Sequence, residues 1–301
     1  MVLLNSMGPC GMDKIEISSD GGRLLAANWV RAAGVAPALA TAVIHSATGV
    51  PRRYYSAFAQ HLSEQGFDVL MWDARGIGES ATLPVSSDPA TMRDWGQHDQ
   101  QAVLQHIRTK YPTRQLFIIG HSSGGHLAGL APLTTGADAL VLIASGGCDW
   151  RDYPVRQWPR LLGAWWMAMP LLLTIWGHLP AWAGVGHALP RGVAEQWRRW
   201  SLTRGYLFGD PALDIRGYGD YPGPLLALSM SDDQGFAPPG AVQALLRRFS
   251  GARLEHREIP AAEGAGGHIG HFGFFKPQNA ALWPYVSQWL RARAAASIST
   301  G

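Results

Sequence analysis

The chain has 301 residues, 47% of them hydrophobic, and a formal net charge of only +3, which excludes a disordered chain and allows a large buried core. Its 25 basic and 22 acidic residues are scattered without a basic run, so no nucleic acid partner is expected. The two cysteines, Cys10 and Cys148, cannot form a disulfide framework and have no zinc-site spacing. Only 16% of residues are charged whereas Trp occurs 13 times, so part of the chain is more apolar than an ordinary core.

The amino-terminal stretch does not have the pattern of a secretory signal. Residues 1–12 contain no basic residue before the short apolar run at 2–4. Because cysteine is also scarce, the sequence fits a reducing compartment, and we predict a cytoplasmic protein.

Short β-branched apolar runs alternate with longer helix-like stretches along most of the chain. This alternation predicts an α/β fold with a mostly parallel central sheet flanked by helices. Glycine, proline or aspartate bounds each predicted helix. Strands are predicted at 14–18, 24–29, 40–45, 68–72, 115–119, 139–144, 224–230 and 254–259, and helices at 53–65, 92–111, 124–133, 239–249 and 279–295.

The alternation stops once, between residues 147 and 223, where no convincing strand is found. We therefore predict one α/β domain, residues 1–147 and 222–301, interrupted by a helical insertion at 148–221. The insertion contains eight of the 13 Trp residues. Its scattered prolines predict several short helices, each dependent on packing against the core.

Residues 161–190 contain no Asp, Glu, Lys or Arg. A membrane-spanning helix needs about 20 apolar residues, and the cleanest run, 161–177, is at the short end of that range and contains Pro170. The favoured interpretation is an apolar lid over a binding site. A membrane span and a peripheral membrane element remain alternatives.

The clearest chemical signal lies at residues 115–125, which read QLFIIGHSSGG. An apolar strand runs into Gly-x-Ser-x-Gly, and a helix of small residues follows. Such a tight turn exposes the Ser122 hydroxyl above the sheet edge and brings the Ser123 N–H near the reacting oxygen. Ser122 is the predicted nucleophile. The alternatives are a plain serine in a glycine-rich turn and, less favoured because no Lys follows, a phosphate-binding loop.

Three motifs together resemble the α/β-hydrolase superfamily, in particular its lysophospholipase-like and serine aminopeptidase-like members. They are IHSATG at 44–49, DARGIGES at 73–80 and the serine turn, in the order of the family. The resemblance implies an α/β-hydrolase fold, a catalytic order of Ser, Asp and His, and a helical Trp-rich cap at the position of the insertion.

The resemblance places the catalytic acid after the strand at 224–230, where the chain reads SDDQGFAP. It favours Asp233, a few residues before an apolar-Pro pair, with Asp232 as the alternative. For the base it favours His271 in the segment GHIGHFGFF, with His268 as the alternative. A metal held by both histidines is disfavoured because no third ligand has suitable spacing, so neither a metal nor a cofactor is expected.

The oxyanion hole is expected to combine the backbone N–H of Ser123 with that of Ala47. Because Ser46 replaces the glycine of many members, Thr48 remains an alternative to Ala47. Other polar residues near these motifs are expected to be structural: His45, His121 and His126 are assigned to packing or hydrogen bonding. Arg75 is expected to pair with Asp73 or with a backbone carbonyl.

Together these features predict a serine hydrolase that cleaves a carboxylic ester with an apolar acyl or alcohol part. Acyl transfer, amide or peptide hydrolysis and a non-catalytic binding module are the alternatives. The expected partner is a small apolar ester, and the sequence does not indicate the oligomeric state. Peripheral membrane contact through the cap is a further expectation, because basic residues flank the uncharged stretch: Arg151, Arg156, Arg160, Arg191, Arg198 and Arg199.

Overall fold

Eight strands form one mixed sheet in the computed structural model, which describes residues 12–34, 37–183 and 186–298. The order is β1-β2-β4-β3-β5-β6-β9-β10, with β2 antiparallel to both β1 and β4 and every other pair parallel. The strands are β1 Met12–Ser18, β2 Leu24–Val30, β3 Thr41–His45, β4 Asp68–Trp72, β5 Leu116–His121, β6 Ala139–Ile143, β9 Pro224–Met230 and β10 Arg253–Ile259. Each lies within two residues of its predicted position.

The four central strands β3, β4, β5 and β6 are buried along their whole length. Apolar runs of this kind belong to parallel sheets that are covered on both faces. One hydrophobic cluster, containing residues of the helices Ser56–Glu64 (α1) and Pro284–Ile298 (α11), covers one face, and a second cluster covers the other. The parallel register places His45 beside Gly120, so the motifs that follow β3 and β5 emerge together at the carboxyl edge of the sheet.

The helices follow the predicted alternation with one clear exception. The predicted helix at 124–133 is wrong, because the α-helix ends at His126 and continues as the 3₁₀ turns Ala128–Leu130 and Pro132–Gly136. Gly129 packs so closely against Tyr218 that a Cβ atom would lie 2.5 Å from its ring. The helices are α1 Ser56–Glu64, α2 Met92–Asp94, α3 Gln101–Lys110, α4 Ser123–His126, α5 Trp158–Gly163, α6 Met169–Trp176, α7 Arg191–Leu202, α8 Arg216–Gly219, α9 Pro239–Leu246, α10 Gly270–Gly273 and α11 Pro284–Ile298.

The inserted segment between β6 and β9 is mainly helical, with one antiparallel pair of two-residue strands, β7 His178–Leu179 and β8 Leu189–Pro190. The prediction of several short helices assumed that each proline ends a helix, but α5 and α6 join through the π-helical turn Ala164–Ala168 into one helical run that contains Pro170. A π turn widens the helix, which gives the proline ring room against the preceding turn. Among the described residues, no helix is long and apolar enough to cross a membrane.

Some of the tryptophan side chains of the inserted segment pack against the core of the sheet. Trp165, Trp197 and Trp200 belong to the same hydrophobic cluster as core strand residues such as Leu142. Trp200 is fully buried, whereas Trp166 and Trp182 are more than half exposed. The segment therefore has a face toward the core and an apolar face toward solvent.

The close packing of α4 against the end of β3 yields a stability prediction. A Cβ atom on Gly124 would lie 2.1 Å from the His45 carbonyl oxygen, with no flexible side chain to yield. We expect Gly124→Ala to lower the free energy of unfolding by more than about 2 kcal/mol, measured by urea denaturation. Gly136→Ala is the matched control, since a Cβ there meets nothing within 4 Å, and its effect should stay within about 1 kcal/mol. Equal effects of the two substitutions would contradict this packing argument.

Candidate active site

Ser122 occupies the sharp turn between β5 and α4. Its backbone has φ 51° and ψ −116°, a strained conformation for a residue other than glycine. The turn is feasible because Gly120 has no side chain: a Cβ there would lie 2.4 Å from the Gly125 Cα. The Ser122 side chain is consequently held at the carboxyl edge of the sheet, and the residue is partly exposed to solvent.

The structure brings Ser122, His271 and Asp233 into one hydrogen-bonded row. The Ser122 Oγ lies 2.8 Å from His271 Nε2, and His271 Nδ1 lies 2.6 Å from Asp233 Oδ2. Asp233 follows β9, His271 lies in α10, and both side chains are buried. Since a carboxylate only accepts, the Nδ1–H donates to Asp233, which leaves Nε2 to accept from the serine hydroxyl. A serine with a base oriented in this way is equipped for nucleophilic attack.

The alternative residues Asp232 and His268 lie apart from this row. Asp232 accepts hydrogen bonds from the backbone N–H groups of Ile269 and Gly270, both at 2.9 Å. Its carboxylate also lies 2.6 Å from Nδ1 of His268, whose side chain is 76% exposed. The N–H groups and His268 lower the pKa of Asp232, although partial burial opposes them. Asp232 therefore holds the loop that carries His271, and His268 lies on its outer side.

The predicted oxyanion donor Ala47 is engaged by another group in the structure. Its backbone N–H donates to the Tyr55 hydroxyl at 2.9 Å, and the same hydroxyl lies 2.8 Å from His121 Nδ1. His121 Nε2 lies 3.0 Å from the carbonyl oxygen of His271. Because a carbonyl can only accept, Nε2 carries the proton and Nδ1 accepts from the tyrosine. One directed chain of hydrogen bonds thus joins the loop after β3 to the backbone of His271.

The pKa values of the residues in this chain of hydrogen bonds support the same proton arrangement. Burial, together with the proximity of His271, lowers the pKa of His121 well below its usual value, so its ring is neutral. Burial raises the pKa of the Tyr55 hydroxyl, so the phenol keeps its proton. Among the described residues, the N–H groups of Ser123 and Thr48 have no hydrogen-bond acceptor, whereas that of Ala47 does. Ala47 as an oxyanion donor remains a prediction, and it requires the bond to Tyr55 to be shared or exchanged.

The remaining polar residues of the motifs hold the loops in place. His45 Nδ1 accepts from the Trp72 indole at 3.0 Å, and burial lowers the pKa of His45 to about 3. His126 Nδ1 donates to the Gly146 carbonyl at 3.0 Å, and burial is the main reason that its pKa falls to about 4. Both rings are therefore neutral structural groups at neutral pH.

The expected pairing of Arg75 with Asp73 is wrong. Arg75 instead binds Asp99, at 2.7 Å between Nη2 and Oδ1, and also donates to Ser19. The Asp73 carboxylate is already occupied by Arg52 and by the Glu79 N–H. With its acceptors filled, Asp73 has no oxygen directed at Arg75.

The comparisons with known proteins bear on the fold and on the first part of the chain. A family model described as serine aminopeptidase, S33, matches residues 38–183, a range that includes the loop after β3 and the Ser122 turn. The chain therefore resembles the α/β-hydrolase superfamily in sequence over residues 38–183 and has the α/β-hydrolase fold. No curated protein matches its sequence. The family match ends before Asp233 and His271, so the placement of these two residues rests on the geometry described above.

Solved structures of esterases and of a peptidase share the α/β-hydrolase fold of this chain. Est1E from Butyrivibrio proteoclasticus, with ferulic acid bound, has 16% identity and a TM-score of 0.60 over 93% of this chain and 99% of its own. A carboxyl esterase from Bacillus coagulans has 13% identity and a TM-score of 0.64, covering 94% and 99%. Proline iminopeptidase from Mycobacterium smegmatis has 14% identity and a TM-score of 0.59, covering 95% and 100%. At these identities the likeness establishes the fold alone.

An apolar cavity of about 270 Å³ is lined in part by Phe236, which contacts His271 of the Ser122 row. The inserted segment supplies most of its wall, and Gly235 and Phe236 supply the side nearest His271. The Phe236 ring stacks on the His271 imidazole with 4.7 Å between ring centroids. None of the described residues that line the cavity has a carboxylate. They are Cys148, Tyr153, Arg160, Leu161, Ala164, Trp165, Ala168, Met169, Leu172, Leu179, Ala183, Trp197, Gly235 and Phe236.

Tyr55 is a site residue that sequence reasoning missed. It belongs to none of the three motifs, and its hydroxyl reaches His121 only because β3, the turn after it and β5 are neighbours in the sheet. The paired tyrosines at 54 and 55 are the only local signal, and such pairs are common in ordinary cores.

Removing the Tyr55 hydroxyl tests the hydrogen-bond chain. We expect Tyr55→Phe to lower the free energy of unfolding by about 1–3 kcal/mol, because the Ala47 N–H and His121 Nδ1 both lose a buried partner. Tyr285→Phe is the matched control: its hydroxyl bonds Glu263 and Arg257 at the surface, and the loss should stay within about 0.5 kcal/mol. Chemical denaturation measures both. A Tyr55→Phe variant as stable as Tyr285→Phe would contradict the proposed chain of hydrogen bonds.

Proposed function

We propose that this protein is a serine hydrolase that cleaves carboxylic esters with an apolar acyl or alcohol part. The observation that carries the proposal is the row Ser122, His271 and Asp233 beside an apolar cavity. A hydroxyl is a weak nucleophile, so its hydrogen bond to an imidazole that a carboxylate orients is the arrangement ester cleavage requires.

In the proposed reaction, Ser122 Oγ attacks the ester carbonyl carbon while its proton passes to His271 Nε2. Asp233 stabilises the imidazolium through the Nδ1–H, without taking the proton. The backbone N–H of Ser123, together with that of Ala47 or Thr48, stabilises the negative oxygen of the tetrahedral intermediate. The intermediate collapses, His271 protonates the departing alcohol, and water activated by the same imidazole then hydrolyses the acyl-enzyme.

We further propose that residues 148–221 form a cap over this site. The segment contacts the loop that follows Asp233: the Tyr153 hydroxyl donates to the Phe236 carbonyl at 2.6 Å, and Gln157 donates to the Gln234 carbonyl at 2.7 Å. Its helical run forms the cavity wall opposite Phe236. An acyl group in that cavity would be removed from water next to the reacting serine.

Amide hydrolysis is the second candidate, because the matched family model describes a serine aminopeptidase. An aminopeptidase needs negative charge near the substrate's amino terminus, and the sequence from 153 to 194 contains neither Asp nor Glu. This lack of carboxylates supports the ester. Turnover of amino-acid p-nitroanilides at rates above those of p-nitrophenyl esters would favour the peptidase. Acyl transfer uses the same three residues and differs only in the acceptor.

A series of p-nitrophenyl esters tests the proposal. We expect kcat/KM to rise with acyl length until the cavity is full, by up to about fourfold per methylene, since each buried CH₂ contributes about 0.8 kcal/mol. Ser122→Ala should reduce kcat by about 10³-fold or more, and His271→Gln by a similar factor. No rise with chain length, or a fully active Ser122→Ala, would contradict the proposal.

Two neighbouring residues supply the controls. His268→Gln should change kcat less than about threefold, because its side chain lies on the outer side of the loop. Asp233→Asn should reduce kcat by about 10²–10⁴, whereas Asp232→Asn should mainly lower stability by weakening its bonds to Ile269 and Gly270. A larger kcat loss for Asp232→Asn than for Asp233→Asn would reverse the assignment.

A further inference from the structure

The helical run formed by α5, the π turn and α6 exposes an apolar outer face. Met167 is 73% exposed and Trp166 61% exposed, far more than expected for such side chains on a helix packed against a core. Of the eleven large hydrophobic side chains exposed in the described part of the chain, six lie on this run or just after it. We define the outer face by these six residues: Trp166, Met167, Leu171, Ile175, Trp176 and Trp182.

The opposite side of the same helical run faces the cavity. Trp165, Met169 and Leu172 line the cavity and follow one another at intervals of one helical turn, whereas the first three residues of the outer face lie at the intervening positions. The run is thus apolar on both sides, a pattern typical of a helix buried on both sides. The inner side packs against the core, and the outer face is exposed to solvent in the described part of the chain.

The sequence around the outer face carries more basic than acidic residues. No Asp or Glu occurs between residues 153 and 194, whereas Arg156, Arg160 and Arg191 do. Arg156 and Arg160 are exposed, and among the described residues neither has an acidic partner; Arg191 pairs with Glu195 at 2.7 Å. A second copy of this chain docked face to face would bring Arg156 and Arg160 of the two copies together, and residues 153–194 supply no carboxylate to offset them.

We propose that the outer face docks on the surface of a lipid bilayer that contains anionic lipids. Tryptophan is suited to the boundary between headgroups and acyl chains, and exposed arginines are attracted to anionic headgroups. Docking would put the helical run between the bilayer and the cavity, so that an ester leaving the bilayer is close to Ser122. This delivery role rests on the proposed hydrolase function, whereas docking itself does not.

Vesicle binding by the full-length Ser122→Ala variant tests the docking without any turnover. Vesicles of phosphatidylcholine with roughly one third phosphatidylglycerol serve as the probe, with pure phosphatidylcholine beside them. We expect Met167→Gln/Leu171→Gln/Ile175→Gln to weaken binding by about tenfold or more, since three apolar side chains no longer enter the interface. The matched control Leu24→Gln/Leu83→Gln/Leu254→Gln replaces leucines that are also exposed but lie elsewhere, and should bind within about twofold of the parent.

A separate double variant tests the contribution of the exposed arginines to vesicle binding. Arg156→Gln/Arg160→Gln should weaken binding to the anionic vesicles by about fivefold per arginine and leave binding to neutral vesicles nearly unchanged. Equal weakening on both kinds of vesicle would overturn the role of the arginines. Circular dichroism and thermal melts confirm that every variant is folded.

Three results would overturn the docking: no binding to either vesicle, a triple glutamine variant that binds as well as its parent, or a dimer in vesicle-free solution that this variant dissociates. The last result would identify a second copy as the cover. Failure of docking is separable from failure of the hydrolase function, because Met167→Gln/Leu171→Gln/Ile175→Gln in the active chain should leave turnover of soluble p-nitrophenyl acetate within about twofold.

Discussion

Ser122 is held in a backbone conformation that costs free energy, and the rest of the site depends on it. A positive φ at a residue with a side chain costs about 1–3 kcal/mol and persists only where the surroundings determine it. The surroundings here are Gly120, packed against Gly125, and Gly124, packed against the His45 carbonyl. These approaches seat α4 directly on the loop after β3, so the Ser123 N–H and the N–H groups of that loop lie at one edge of the sheet. A side chain at either glycine would push the Ser123 N–H away from the N–H groups of the loop after β3.

The second constraint is the fixed direction of the hydrogen bonds around His271. Its imidazole is oriented by Asp233, its backbone carbonyl accepts from His121, and its loop is held by Asp232. Because His121 is buried and neutral, its two nitrogens have opposite roles, and Tyr55 must donate to one of them. The position of His271 therefore depends on groups from β5, from the turn before α1 and from the end of β9, as well as on its own loop.

Several features could be predicted from the sequence because their causes are local. Most of the strands are short apolar runs bounded by turn signals, and the Ser122 turn is a strand and a helix joined through closely spaced glycines. Asp232 and Asp233 are different: both follow β9, and only the path of the chain decides which one faces His271. The partner of Arg75 likewise depended on Arg52, a residue 23 positions away that had already filled Asp73.

The inserted segment also has features that its sequence alone does not predict. Its prolines and tryptophans predicted short helices, but a π turn lets Pro170 continue the helix, and periodicity alone does not reveal such a turn. The uncharged stretch had three interpretations from sequence. In the structure one side of its helical run lines an apolar cavity and the other side is exposed to solvent. The proposed cap and the proposed lipid-docking face are therefore opposite sides of the same helical run.

The proposed role of His271 and Asp233 is to activate Ser122 as the nucleophile. Reaction with a fluorophosphonate, followed by mass spectrometry of the peptides, tests this role. We expect one adduct, on Ser122, that is absent from folded Ser122→Ala and forms far more slowly in His271→Gln. An adduct on any other residue, or no adduct on a folded wild-type chain, would contradict it.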